Sequence, residues 1–267
     1  MLEEKRNRKK LTIAALATCA ALAGVGGTVA WLTVQDSLQN QFTVGTFGVP
    51  TTKPDPSNPG FGNDSALIAE DADPGSLDGH LYEPNWKTND EHNIVPGNEY
   101  EKDPYVGMTA DSEDAYVYIY VKNNAPTEDS LYFNLNEDWE AVTGKANVDD
   151  AYEAKATTAE ADDPAGNGTY TTGKYYSSGL FKYTSGLTGE GADTTDVWTE
   201  TPLFDRMLVK ADAADTDLVT SEKLAEGNRE NSVDVYTFMY QMDDTDGGLI
   251  DESEVLDWIN DQIAAIE

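Results

Sequence analysis

The chain is 267 residues long and carries 50 acidic against 17 basic residues, a formal net charge of -33 at pH 7. Such a polyanion has no Lys/Arg surface with which to displace counterions from a phosphate backbone, so nucleic acid is excluded as a partner and docking on anionic lipid is disfavoured. The single cysteine, Cys19, sits in the N-terminal apolar stretch, which leaves the remainder without a disulfide framework, a thiol nucleophile or a cysteine-ligated metal.

At the N-terminus, Lys5, Arg6, Arg8, Lys9 and Lys10 precede an apolar run over residues 11–23, then a small-residue break, Gly24-Val25-Gly26-Gly27-Thr28-Val29-Ala30. A basic n-region, an apolar h-region and a small-residue cleavage site describe an export signal rather than part of a fold. Cleavage is expected between Ala30 and Trp31, and everything beyond is expected to be secreted or held at the cell surface. The competing reading is a membrane anchor over residues 11–32, long enough to cross a hydrocarbon core of about 30 Å. That stretch is mostly Ala, Thr and Gly, and the glycine break interrupts it, so membrane contact is expected only through the uncleaved signal. In both readings the basic cluster stays on the cytoplasmic side and the bulk of the chain lies outside. Residues 1–30 hold five of the basic and two of the acidic side chains, so the mature part carries 12 positive and 48 negative charges. That balance suits a soluble secreted protein. It also restrains self-association until acid or divalent cations relieve the carboxylate repulsion.

After the signal, Leu32, Val34, Leu38, Phe42 and Val44 all fall at even positions, the period-two alternation of a half-buried strand, interrupted by Asp36 and Asn40. This makes residues 31–48 a mature N-terminal strand. Pro50, Pro54, Pro56, Pro59, Gly60 and Gly62 argue against a helix or central strand over residues 49–66, and the chain stays polar and Asp-rich to about Asn93. Residues 49–93 therefore read as a Pro/Asp-rich linker or insertion, with Leu67, Ile68, Leu81, Tyr82 and Trp86 as scattered anchors. Residues 94–267 read as a β-sandwich domain. Within it, residues 99–108 look extended but contain Pro104, which suits an edge strand. Residues 115–122 predict a central strand, with Ala115, Val117, Ile119 and Val121 toward the core and Tyr116, Tyr118 and Tyr120 on the other face. Residues 131–135 predict a short partner, and residues 175–183 a strand pair or one bulged strand. A weak helix is possible over residues 149–159. Residues 203–210 and 233–242 predict two more strands. Val255, Leu256, Trp258, Ile259, Ile263 and Ile266 recur at spacings of three and four, so the chain ends in a helix. Strands outnumber helices and long loops separate them. The expected class is all-β, a sandwich with long insertions and a short C-terminal helix.

Hydrolytic machinery is hard to assemble from these residues. The two histidines, His80 and His92, both lie in the irregular region. No His-Glu-x-x-His pair and no Gly-x-Ser-x-Gly elbow exist, so no enzyme activity is expected and no cofactor is implied. Asp243 to Glu254 has the acidic first position, glycine-rich centre and terminal glutamate of a calcium loop, but Thr245 and Gly247 stand where carboxylates normally bind. An acidic turn capping the final helix explains it better, and no metal site is expected.

Two motif groups carry a resemblance. One is Gly26-Gly27-Thr28-Val29-Ala30-Trp31-Leu32-Thr33 followed by Asn40-Gln41-Phe42-Thr43-Val44-Gly45. The other is Val95-Pro96-Gly97 through Lys102-Asp103-Pro104, then Asp114-Ala115-Tyr116-Val117. Together they resemble the TasA/camelysin family, whose members are exported through a signal processed by a SipW-type signal peptidase. The match covers about the first 45 residues and about 30 more, with none beyond residue 125. The resemblance implies a jelly-roll sandwich exported by a Gram-positive bacterium and used as a subunit of biofilm-matrix fibres. The partners it implies are further copies of the chain, as a homopolymer, and the SipW-type peptidase. The mature N-terminal segment would add as a strand to the next subunit, with Leu32, Val34, Leu38, Phe42 and Val44 inserting, a mode that uses main-chain hydrogen bonds and alternate side-chain pockets. The alternative is a monomeric secreted or surface adhesin that binds through the tyrosine-rich face or the loops around Trp86 and Trp198. A secreted hydrolase is the third reading.

Overall fold

The computed structural model describes residues 47–68, 76–78, 80–85, 99–123, 131–142, 156–157, 175–189, 195–209, 233–243 and 248–266. The strands are β1 (Thr52–Pro54), β2 (Gly62–Leu67), β3 (Ser76–Asp78), β4 (Leu81–Glu83), β5 (Glu99–Glu101), β6 (Tyr105–Met108), β7 (Ala115–Asn123), β8 (Leu131–Asn134), β9 (Trp139–Ala141), β10 (Ala156–Thr157), β11 (Tyr175–Tyr176), β12 (Gly179–Tyr183), β13 (Val197–Trp198), β14 (Arg206–Val209) and β15 (Val233–Gln241). One helix, α1 (Glu252–Ile266), closes the described chain. Among the described residues no helix is long and apolar enough to cross a membrane.

The strands form sheets in the orders β15-β7-β12-β9, β10-β11-β8-β14-β5 and β13-β6-β4-β3, with β1-β2 as a separate hairpin. Every pairing is antiparallel. The protein is an all-β sandwich with one C-terminal helix. β7 shows why. Its odd residues Ala115, Val117, Ile119 and Val121 are fully buried in the main core, among Leu81, Val106, Phe133 and Phe181 from other strands and Phe204 from the segment before β14. Its even residues Tyr118 and Tyr120 are buried on the opposite face, with Tyr236, Phe238 and the helix residues Val255, Leu256, Ile259 and Ile263. A strand covered on both sides lies in the middle of three layers, and β7 is flanked by β15 and β12. Each fully buried Val, Ile or Phe contributes about 1.5–3 kcal/mol by leaving water. Phe133 adds directional ring contacts, with centroids 4.5 Å from Phe204 and 5.5 Å from Phe181. The helix begins where Asp251 caps it, its Oδ1 accepting from the Ser253 backbone N at 2.7 Å.

Several expected elements divide where the chain changes sheet. Residues 99–108 are two strands, not one. β5 is the outermost strand beside β14, as the edge reading requires, whereas β6 lies between β13 and β4. Pro104 stands between them, where its missing N–H leaves no ladder bond unmade. Residues 175–183 split likewise: β11 pairs with β8 and β12 with β7. Gly179, at φ 134°, makes that step in a conformation side chains avoid. Residues 131–134 do not partner β7 but pair with β11 and β14. Within the possible helix at 149–159, residues 156–157 are a strand paired to β11, and the other residues lie outside the described set.

The stretch read as a linker or insertion, residues 49–93, contains four strands. β1 and β2 make a hairpin, and its prolines sit at the end of β1 and in the tip, where no interior ladder bond is lost. β4 is an inner strand, and Leu81 and Tyr82 are fully buried. Gly107 on β6 permits that packing, because a Cβ there would collide with the Trp198 ring, which in turn lies 5.9 Å from the Tyr82 ring.

Candidate functional site

The residues expected to act in export and assembly, Ala30, Trp31, Leu32, Val34, Leu38, Phe42 and Val44, lie outside the described residues. The chain they feed enters the sandwich at Phe47, whose ring meets His80 edge-on at 6.5 Å. Gly48 N donates to Ser112 Oγ at 3.0 Å, and Gly48 O accepts from Thr109 N at 2.9 Å. Next, Asp196 Oδ2 accepts from Thr51 N and Thr52 N, both at 2.6 Å, and from Thr52 Oγ1 at 2.8 Å. This is a firm anchorage immediately after the expected strand.

The other sequence candidates take structural places. His80 is buried and its Nδ1 donates to Gly107 O at 2.9 Å, while His92 and Trp86 lie outside the described residues. The tyrosine-rich face of β7 is not a free binding surface, because α1 packs over it: Tyr116 Oη donates to Ile250 O, and Tyr118 Oη to Glu252 Oε1. Burial, then Glu252, push the Tyr118 phenol up. Trp198 is buried, with Nε1 donating to Thr52 O at 3.0 Å. Of the calcium-like loop, Asp251 caps α1 and Glu252 pairs with Lys182 at 3.1 Å, which is the acidic-turn arrangement. Among the described residues no group of three or more His, Cys, Asp or Glu is arranged to hold a metal ion.

The chemically unusual place is elsewhere. Glu83 ends β4, and Lys102 and Asp103 occupy the turn where the chain leaves β5 for β6. Lys102 Nζ donates to Glu83 Oε2 at 2.6 Å, and both side chains are 0% exposed. The Lys102 backbone N is held by Asp205 O at 3.0 Å. Asp103, also buried, accepts from Asn85 N at 2.9 Å and Asn85 Nδ2 at 2.8 Å. Glu83 Oε1 and Tyr82 Oη are buried without hydrogen-bond partners among the described residues. Burial disfavours every charge here. It pushes the Glu83 carboxyl up against the opposing pull of Lys102, and brings the Lys102 ammonium down to about 8. Burial, with the Glu83 charge nearby, lifts Asp103 to about 7 against the hydrogen bonds of Asn85.

Asp103 opens on a cleft of about 400 Å³, walled by Pro54, Pro56, Pro84, Asn85, Tyr105 and Glu200 among others. The cluster therefore joins a dry interior to a wetted mouth. It places an amine and two carboxyls in surroundings that press each toward its neutral form. The sequence marked Lys102 and Asp103 only as part of a motif. Glu83 gave no signal beyond its place beside the anchors Leu81 and Tyr82. No family model, no curated protein and no solved structure matches the chain.

Proposed function

We propose that this is a secreted, non-catalytic structural protein, a fibre or matrix subunit that assembles with its own copies by giving the strand of residues 31–44 to a neighbour's sheet. The observation that carries the reading is the anchorage of the chain immediately after those residues, where Gly48 and Thr51 are bonded to Ser112 and Asp196. The anchorage at Phe47, Gly48 and Thr51 gives such a strand a fixed base.

The test compares the mature chain with a version starting at Thr46, both followed by electron microscopy. Filaments from the first and none from the second are expected; equal polymerisation removes the strand-addition reading. Assembly should also rise as the pH falls toward about 4, where carboxylates near their reference pKa begin to neutralise. The proline-walled cleft favours one second reading, a monomeric adhesin that binds through it. A stable monomer in every condition tried, with a glycan-array signal lost on Tyr105→Ala, would select that one.

A further inference from the structure

We propose that Glu83 and Lys102 are the two halves of an intramolecular amide bond that the folded chain makes by itself, joining Glu83 Cδ to Lys102 Nζ. The proposal is independent of the fibre reading and holds equally for a monomer.

The geometry carries it. Nζ lies 2.6 Å from Oε2, an oxygen bonded to the carboxyl carbon that the amine would attack. The fold holds the two groups there, one at the end of β4 and the other in the β5–β6 turn, whose Lys102 N is pinned to Asp205 O. A reaction between groups fixed at this range has the advantage of an intramolecular step over an encounter in solution. Both side chains are fully buried, which excludes the water that would otherwise compete for the acyl carbon or reverse the step. The other two described ion pairs lack this property. Lys182–Glu252 is 16% and 34% exposed, and Arg206–Glu99 is 51% and 41% exposed.

An ion pair is also a poor resting state in such a place. Two buried charges need their remaining lone pairs and protons satisfied to offset desolvation, and Glu83 Oε1 has no partner among the described residues. Burial favours the neutral amine and the neutral acid together, the reactants that amide formation needs. The step balances without an oxidant or any other reactant. A proton passes from Nζ to the Glu83 carboxylate, and the Nζ lone pair attacks Cδ. The C–N bond forms, the bond from Cδ to the hydroxyl oxygen breaks, and that hydroxyl leaves with an amine proton as water.

Intact mass under denaturing conditions tests this on the chain recovered after expression, once its N-terminal residue is known. The mass expected is that of the sequence less one water. Trypsin cuts after Lys87, between the two residues, so the peptide bearing Glu83 should remain joined to the peptide bearing Lys102, with no cleavage at Lys102. A chain at full mass whose two peptides separate overturns the proposal and leaves an ion pair. Glu83→Ala should restore the full mass. If that variant is still lighter by one water, the loss lies elsewhere and the assignment falls; if it does not fold, the peptide map of the unaltered chain decides alone.

Discussion

Glu83–Lys102 and Lys182–Glu252 use the same two functional groups, at 2.6 and 3.1 Å, in opposite surroundings. The first is sealed in the corner where the chain crosses between sheets. The second lies on the rim between β12 and α1, and Glu252 also accepts from Tyr118. At the rim, water screens both charges and the apolar contacts beneath do the holding. In the corner, nothing screens them, and whether Glu83 keeps Lys102 as its partner, by charge or by the proposed amide, governs the stability of the turn between β5 and β6. The same pair of residue types is therefore a minor trim at one site and a structural commitment at the other.

The largest test of that contrast is Lys102→Ala, which strands the Glu83 carboxyl in the interior. It should lower stability by about 3–5 kcal/mol in urea unfolding; a loss below about 1 kcal/mol would make the two pairs equivalent. On the rim side the burden falls on packing, so Ile259→Ala should cost about 2–5 kcal/mol by opening a cavity under the helix. Third is a pH effect confined to the corner. Asp103 is lifted by burial from its ordinary 3.8 to about 7, so between those values the folded chain binds a proton that the unfolded chain has lost. Its contribution is fully present below about pH 4 and is lost as the pH rises through about 7, at a slope of at most about 1.4 kcal/mol per pH unit. Urea midpoints measured from about pH 5 to about pH 7 should show a decline that Asp103→Asn flattens. Asp251→Ala removes the helix cap and should cost about 1 kcal/mol, read as a lowered midpoint. The smallest effect belongs to Lys182→Ala, under about 1 kcal/mol and fading with added salt.

Legibility in the sequence followed the same division. The central strand could be read because Ala115-Tyr116-Val117-Tyr118-Ile119-Tyr120-Val121 alternates without interruption, and its odd residues face the core as expected, whereas the cover of its tyrosine face by the helix could not be read. The terminal helix could be read from its apolar spacing. β1 to β4 could not, because Asp, Pro and Gly punctuate them and their stability comes from distant partners such as Asp196 and Trp198. Nor could the sheet changes at Pro104 and Gly179, since local pattern says that a strand ends but not which neighbour the next one joins. The charged corner was the least legible part. Lys and Glu are almost always exposed, so nothing in Glu83 or Lys102 alone announces that both lie at zero exposure. Only the fold brings together two residues 19 positions apart.

The grip on Gly48, Thr51 and Thr52 has a mechanical consequence. A pull on the chain ahead of residue 47 meets Gly48's bonds to Thr109 and Ser112 first, and then the Asp196 carboxylate that clasps both threonines. Only after those give way does tension reach the hairpin beyond. Asp196 precedes Val197 on β13, the outer strand of its sheet, which pairs with β6 through Met108, so the force enters that strand first and passes from it to β6. A molecule tugged by that end would thus load the core through Phe47 while its short clasps fail in turn.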